Sequence, residues 1–199
     1  MKLVLMMLGM VVASGSWVLA QSKTYERHNT TAILKIVFKQ AEGMQSVGSC
    51  VAIDESHVLT AAHVVGSSVA DVETKDGNVQ AKVIALDCFH DRALLRCVKP
   101  ITAKPRSVRD KPIASGEPLF AIGFGGNGFG YTRCRADGTR IRGRSIPGDS
   151  GGPVCDAAGN VVGLITGYTG DGFLLSPSRN SLAQWTAENL GNDPINVGP

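Results

Sequence analysis

The 199-residue chain is short of several things, and each shortage closes off a class of function. It lacks an excess of either charge: 20 basic side chains face 17 acidic ones, for a formal net charge of +3. Nothing in that balance argues for nucleic acid or an anionic membrane surface as a partner. It lacks Cys-x-x-Cys spacing, and its 4 histidines are not grouped beside its 5 cysteines, so no zinc site is expected. Beyond the first twenty residues it also lacks an apolar run approaching the ~20 residues that a bilayer span takes.

Those first twenty residues stand apart. Lys2 precedes an apolar run from Leu3 to Met10 and on through Val12, interrupted by Ser14, Gly15 and Ser16, and Val18-Leu19-Ala20 ends on residues small enough for signal peptidase. Residues 1–20 read as a signal peptide cleaved before Gln21. The mature chain 21–199 is then secreted or periplasmic, with no stable membrane association. Export makes the cysteines oxidisable. Cys88 and Cys97 flank Asp91 on what read as two arms of a hairpin and form one candidate bridge, and Cys134 with Cys155 forms the next. Cys50 is left over, and a buried thiol is the common state of a lone strand cysteine.

Short β-branched or apolar runs punctuated by Gly, Asn, Asp and Pro dominate the rest. Strands are predicted near Ile33–Lys39, Ser46–Ile53, His57–Thr60, Val69–Thr74, Val79–Cys88 and Ala93–Val98. Residues 99–117, with three prolines and alternating charges, read as a linker. Six more strands follow, near Leu119–Phe124, Tyr131–Arg135, Thr139–Arg142, Pro153–Cys155, Val161–Thr166 and Phe173–Leu175. Spacing alone says all-β barrel or sandwich. Leu182, Trp185 and Leu190 have helix-compatible spacing within 177–190, a short helix expected to cross the second half. The last residues, 191–199, are expected to be disordered.

The chemistry concentrates in Gly148-Asp149-Ser150-Gly151-Gly152-Pro153. Flanking glycines let the backbone take positive φ and let a substrate carbonyl approach, so the amides of Gly148 and Ser150 can point together at a developing oxyanion. A serine hydroxyl needs a histidine to take its proton and a carboxylate to fix the imidazole tautomer. Thr60-Ala61-Ala62-His63 supplies a histidine on a tight turn, ahead of the alternatives His28, His57 and His90. His90-Asp91-Arg92-Ala93-Leu94-Leu95 supplies a carboxylate at the start of an apolar strand, with Asp87 as its competitor. The chain order is His, Asp, Ser.

These motifs, with Ala121-Ile122-Gly123-Phe124-Gly125 and Val161-Val162-Gly163-Leu164-Ile165-Thr166-Gly167, resemble the trypsin/chymotrypsin-like serine peptidases. Among those, the chain is most similar to the compact bacterial forms such as the HtrA/DegP protease domain. The resemblance implies two tandem six-stranded antiparallel barrels, at 21–98 and 118–176, with a cleft between them. It implies His63 as general base, Asp91 as its orienting acid, Ser150 as nucleophile, and Gly148 and Ser150 as oxyanion donors. It also implies a secreted serine endopeptidase that acts on proteins or peptides through an acyl-enzyme, without metal or organic cofactor.

The chain departs from the family in places. No Ile-Val-Gly-Gly type of terminus is available to insert beside Asp149, so activation by that route is not expected, and the partner of Asp149 is not legible. No segment remains for a PDZ domain, so caged regulation is not expected either. The position six before the serine is Arg144; with Ser145 it would pair with an acidic substrate side chain, facing Thr166 and Tyr168 across the pocket. The competing reading makes Arg140, Arg142 and Arg144 one solvated hairpin face. Two rival functions stand beside the peptidase: a catalytically silent binding module on the same fold, and an esterase.

Overall fold

The computed structural model describes residues 32–40, 43–126, 128–137, 140–169, 172–175 and 182–197. The expected signal peptide, Gln21, His28, the side chains of Arg140 and Tyr168, the tip of the hairpin at 138–139 and the start of the expected helix lie outside the described residues.

Alternating residues of successive strands turn inward and close the sheets on themselves. β1 (Ile33–Lys39), β2 (Gln45–Ala52), β3 (His57–Thr60), β4 (Val69–Thr74), β5 (Gly77–Asp87) and β6 (Arg92–Cys97) form one closed antiparallel barrel in the order β1-β2-β3-β6-β5-β4. β7 (Pro118–Gly123), β8 (Gly130–Asp137), β9 (Arg140–Arg142), β10 (Pro153–Cys155), β11 (Val161–Thr169) and β12 (Gly172–Leu175) form the second, in the order β10-β11-β12-β9-β8-β7. On β5, Val79, Ala81 and Val83 are buried while Gln80 and Lys82 are exposed, the period of two that a half-buried strand imposes. On β2 the alternation fails, and Gly48 through Ala52 are all buried. One face of β2 fills the first barrel and the other lies against β7 of the second. The all-β architecture of two six-stranded barrels is as the resemblance implied.

The C-terminus departs from expectation. The helix α1 (Leu182–Asn189) docks on the first barrel rather than across the second. Trp185 lies under the Arg92 guanidinium at 4.6 Å, and Arg96 Nη2 donates to the carbonyls of Leu190 and Asn192 at 3.1 and 2.8 Å. Residues 190–197 form an ordered strap where disorder was expected from 191, and 198–199 lie outside the described residues. Ile195 N–H donates to Val83 C=O at 2.8 Å, Val197 N–H donates to Ser68 Oγ at 2.7 Å, and Val197 packs against the barrel core. A register shift between Val83 and Ala85 frees that carbonyl from the β5–β6 ladder, so the strap satisfies a group that would otherwise lack a strand partner.

Residues 98–117 run between the barrels without a strand of their own; Val98, Ile101 and Arg106 donate to the Gln80, Glu55 and Ala52 carbonyls of the first barrel at 2.8, 2.8 and 2.9 Å, and the residues after them are fastened to the second. Val108 bridges Val161 in parallel, and Arg109 forks onto Glu117 at 2.6 Å and Asp156 at 3.1 Å. Asp156, only 7% exposed, also accepts from Asn160 and Ala158.

None of the five cysteines is in a disulfide, and neither candidate bridge is present. Cys97 pairs with Ala81 at one end of the β5–β6 ladder, whereas Cys88 lies in the turn past its other end, where Asp87 pairs with Arg92. Five residues of strand, ~16 Å at 3.3 Å each, separate them. Cys134 and Cys155 lie on strands either side of β7, opposite Leu119 and Phe120 respectively. Two strand spacings, ~10 Å, exceed the ~7 Å that a disulfide tolerates between Cα atoms. Cys50 is a buried thiol, as expected for the leftover cysteine, and its pKa is pushed up by desolvation.

Candidate active site

The small residues Ala61 and Ala62 allow a single 3-10 turn, Ala62–Val64, to follow β3 and present His63 at the surface. Opposite it, the β5–β6 turn delivers Asp91 in a left-handed conformation, φ 52°; among the described residues it is the only non-glycine with positive φ. The Asp91 carboxylate grips His63 twice. Oδ1 accepts the His63 backbone N–H at 2.8 Å and Oδ2 meets Nδ1 at 2.7 Å. This double contact fixes both the backbone and the ring and leaves Nε2 as the outward nitrogen. The Asp91 hydrogen bond raises the His63 pKa above the ordinary histidine value; partial burial opposes this and the carboxylate's charge adds to it.

The competing pairings resolve at the same time. Asp87 is taken by His90, at 2.7 Å, and by Arg92, at 2.9 Å. His57 pairs with Asp54 at 2.8 Å. The two histidine contacts join residues three apart, within their own turns, and the Arg92 contact reaches five residues on.

Ser150 comes from the second barrel, on the turn before β10, and hydrogen bonds account for most of that turn's backbone. The N–H groups of Asp149, Gly151 and Gly152 donate to Ile146, Ile165 and Asp149 carbonyls at 3.0, 2.8 and 2.9 Å. Pro147 C=O accepts from Gly126 N–H at 3.1 Å. Because N–H and C=O point oppositely across a trans peptide, that bond turns Gly148 N–H the other way. Among the described residues, the N–H groups of Gly148 and Ser150 have no acceptor. The geometry needs glycine at 148: φ is +100°, and a Cβ would stand 2.8 Å from Phe124 O.

Asp149 finds its partners here. Oδ1 accepts from Gly125 N–H and Oδ2 from Ile146 N–H, each at 2.9 Å. Two backbone amides thus take the place of a terminal ammonium, one of them from the Gly123-Phe124-Gly125 segment. Behind this turn lies a cavity of about 210 Å³ lined by Ala121, Gly125, Tyr131, Arg144, Ile146 and Asp149. Arg144 is exposed, and neither Ser145 nor Thr166, both half-buried, lines the same cavity. Arg142 is a solvated surface charge paired with Asp137 at 2.9 Å.

Ser49 escaped the sequence reading. Fully buried on β2, it donates through Oγ to Gly148 C=O at 2.8 Å and accepts Phe124 N–H at 2.8 Å, while its own N–H donates to Ser150 C=O at 2.8 Å. One residue of the first barrel therefore holds the serine turn of the second in two places, at Gly148 and Ser150, and the neighbouring Phe124 in a third. Gly48 beside it must be glycine, since a Cβ would stand 2.8 Å from Ser150 O and 2.7 Å from Val64. The only available signal was a hydroxyl inside a buried strand, which the sequence does not distinguish from an exposed one. No hydrogen bond joins His63 to Ser150 among the described residues.

The trypsin-like peptidase domain family matches over residues 48–164, more than half of the chain, and the chain belongs to that family. It is 30% identical over 177 residues to the serine protease Rv3671c of Mycobacterium tuberculosis, covering 76% of this chain and 44% of that protein. The crystal structure of the active form of that protease superimposes with a TM-score of 0.72 at 27% identity, over 84% of both chains. The HtrA-type protease AlgW, with a bound tripeptide, superimposes with a TM-score of 0.71 at 25% identity, over 86% of this chain and 64% of that one. The chain spans less than half the length of the curated relatives it matches. The resemblance read from the five motifs is borne out at the level of family and fold.

Proposed function

We propose that the protein is a serine endopeptidase in which Ser150 attacks a peptide carbonyl, His63 takes its proton, and Asp91 holds the imidazole. The amides of Gly148 and Ser150 receive the tetrahedral oxyanion, and His63 protonates the leaving amine. Water then repeats the cycle on the acyl-enzyme. The observation that carries this reading is the double grip of Asp91 on His63, at 2.8 and 2.7 Å, which holds one imidazole tautomer with Nε2 free to act as base. The unspent amides at 148 and 150 support it, because removing one such donor costs ~2.7 to 4 kcal/mol of transition-state stabilisation. The relatives' names, serine protease and HtrA-type protease, support a protein or peptide substrate.

The composition of residues 1–20 supports export, and so a secreted or periplasmic site of action. No described helix is long and apolar enough to cross a membrane.

The rival, a catalytically silent binding module, draws on one observation: the missing His63–Ser150 hydrogen bond. Such contacts commonly tighten only when substrate arrives. A fluorophosphonate serine probe separates the two readings. Labelling that Ser150→Ala and His63→Ala both abolish establishes the peptidase reading, whereas a folded, monodisperse, unlabelled protein overturns it.

A further inference from the structure

We infer that Asp87, Arg92 and Trp185 form a positioning unit that holds the turn carrying Asp91 and ties it to the C-terminal helix. This rests on the reading of Asp91 as the acid that orients His63.

Asp91 is the last residue of a four-residue turn, and its positive φ is a conformation that side chains other than glycine and a few polar ones rarely adopt. Such backbone persists only where the surroundings over-determine it. Here the surroundings are one carboxylate. Asp87 closes the β5–β6 ladder opposite Arg92. Its Oδ1 accepts the His90 N–H at 3.0 Å, and its Oδ2 meets His90 Nδ1 at 2.7 Å and Arg92 Nε and Nη2 at 2.9 Å. The residues immediately before and after Asp91 are therefore both fastened to Asp87, and the Asp91 backbone between them has little room to rotate.

Arg92 is the less expected half of the unit. It opens an apolar strand, Arg92-Ala93-Leu94-Leu95, yet it is only 2% exposed and ranks among the largest fully buried side chains of the protein. A guanidinium at that depth needs an anion and a polarisable face. Asp87 is the anion and the Trp185 ring, 4.6 Å from the guanidinium carbon, is the face. Trp185 comes from a helix 93 positions further along the chain, so the acid's turn is set only once the C-terminus has docked. Burial alone would raise the Asp87 carboxyl pKa, but the bonds from His90 and Arg92 outweigh that and hold it below its ordinary value, so the carboxylate stays charged where the unit needs it. The charged or titratable groups in contact are Asp87 and His90 in the turn, Arg92 on β6, and Asp91 with His63 at the site. The helix contributes Trp185, and its Glu188 points instead to Gln184 at 2.8 Å.

The unit acts through Asp91 and touches no substrate, so its loss should read as a misplaced acid. The test uses the full chain with Arg92→Met, Asp87→Asn, Trp185→Leu and the conservative Trp185→Phe, alongside Asp91→Asn. Three readouts are taken: ester hydrolysis split into kcat and KM, the pH at which the acid limb of kcat/KM falls, and the downfield proton resonance of His63 Nδ1–H. Arg92→Met and Asp87→Asn are expected to lower kcat by ~10- to 10²-fold with KM little changed, the scale of a small misplacement at a reacting group. They should also move the acid limb down toward the ordinary histidine value and broaden or shift the Nδ1 proton. Trp185→Leu should follow them in the same direction, and Trp185→Phe should restore all three readouts. If Arg92→Met does not fold, Asp87→Asn and Trp185→Leu carry the test. Folded variants that lose melting temperature but keep kcat, the acid limb and the Nδ1 resonance would make the unit purely structural and overturn the inference. If Asp91→Asn itself leaves activity intact, the reading of Asp91 falls instead; if Asp91→Asn cripples the enzyme while the other three do not, only the positioning unit falls.

Discussion

The two barrels hold their shares of the site in different ways. In the first, His63 and Asp91 are joined by hydrogen bonds made entirely within one closed sheet, backed by a core running from Leu34 and Ile36 through Val83 to Leu95. In the second, the Ser150 turn closes its own backbone bonds but depends on the neighbouring barrel for two more, both made by Ser49, which also holds Phe124 beside the turn. The His63–Asp91 pair is a property of one barrel, whereas the serine turn is a property of the docked pair. Disturbances at the seam should therefore reach Ser150 and the Gly148 and Ser150 amides before they reach His63.

The largest effect tests the division itself. Ser150→Ala, in the second barrel, and His63→Ala, in the first, should each lower kcat by roughly 10⁶-fold, and the double variant should do little worse, because residues that act as one unit are not additive. Steady-state kinetics against a protein substrate and an activated ester would check it; additive losses would mean that the two barrels contribute independently.

The next effect concerns the linker. Arg109→Met strands the carboxylates of Glu117 and Asp156 with little exposure, and should cost about 3 kcal/mol of stability by denaturant titration while leaving the His63–Asp91 pair intact. The Arg109 hydrogen bond holds the Glu117 carboxyl below its ordinary range. Burial raises that of Asp156, but the bonds from Asn160, Arg109 and Ala158 bring it below as well. Depressed carboxyl pKa values stabilise the fold above the unfolded values, near 4, and that contribution is lost as pH falls through the folded ones. The wild type should thus lose stability on acidification below about pH 4, and Arg109→Met should lose less over the same interval.

A smaller effect should fall on catalysis alone. Ser49→Ala leaves Phe124 N–H without its partner and frees Gly148 C=O, a loss of about 2 kcal/mol that should appear as roughly 30-fold in kcat with the His63 titration unchanged. A shift in the histidine titration would show that the barrels are more tightly coupled than the hydrogen bonds imply.

The smallest effect is a pH displacement. A base must be neutral to act, and Asp91 raises the His63 pKa, so the acid limb of kcat/KM should lie above the ordinary value near 6.5. The sign for stability is the reverse: the pair contributes below the unfolded pKa and loses that contribution as pH rises through the folded one. Histidine titration by NMR checks both.

Much of this was legible in residue order. The strand ends fell within a few residues of their expected places, and Ile33–Lys39, His57–Thr60, Val69–Thr74 and Pro153–Cys155 coincide with them. Period-two burial and Gly/Asn/Asp turns are local signals, and a sequence displays local signals directly. The choice of Asp91 over Asp87 rests on the Asp-x-Ala-Leu-Leu motif; in the structure Asp91 meets His63, while Asp87 is occupied by neighbours three and five residues on. The cysteine pairings failed for the opposite reason, since a flanking position says nothing about which end of a ladder, or which side of a strand, a side chain occupies.

By itself, then, the sequence determined the strands, the family and the motifs that hold His63, Asp91 and Ser150, because each is written in spacings of a few residues. Only the tertiary structure decided how they are held. Asp91 reaches His63 across 28 positions, and Ser49 reaches Phe124 and Gly148 across 75 and 99. The C-terminal helix and its strap settled on the first barrel because Arg92, Arg96 and the freed Val83 carbonyl offered partners there. Hydrogen-bond partners so far apart in sequence are chosen by closure of the barrels, which brings together groups whose need for a partner no local pattern records.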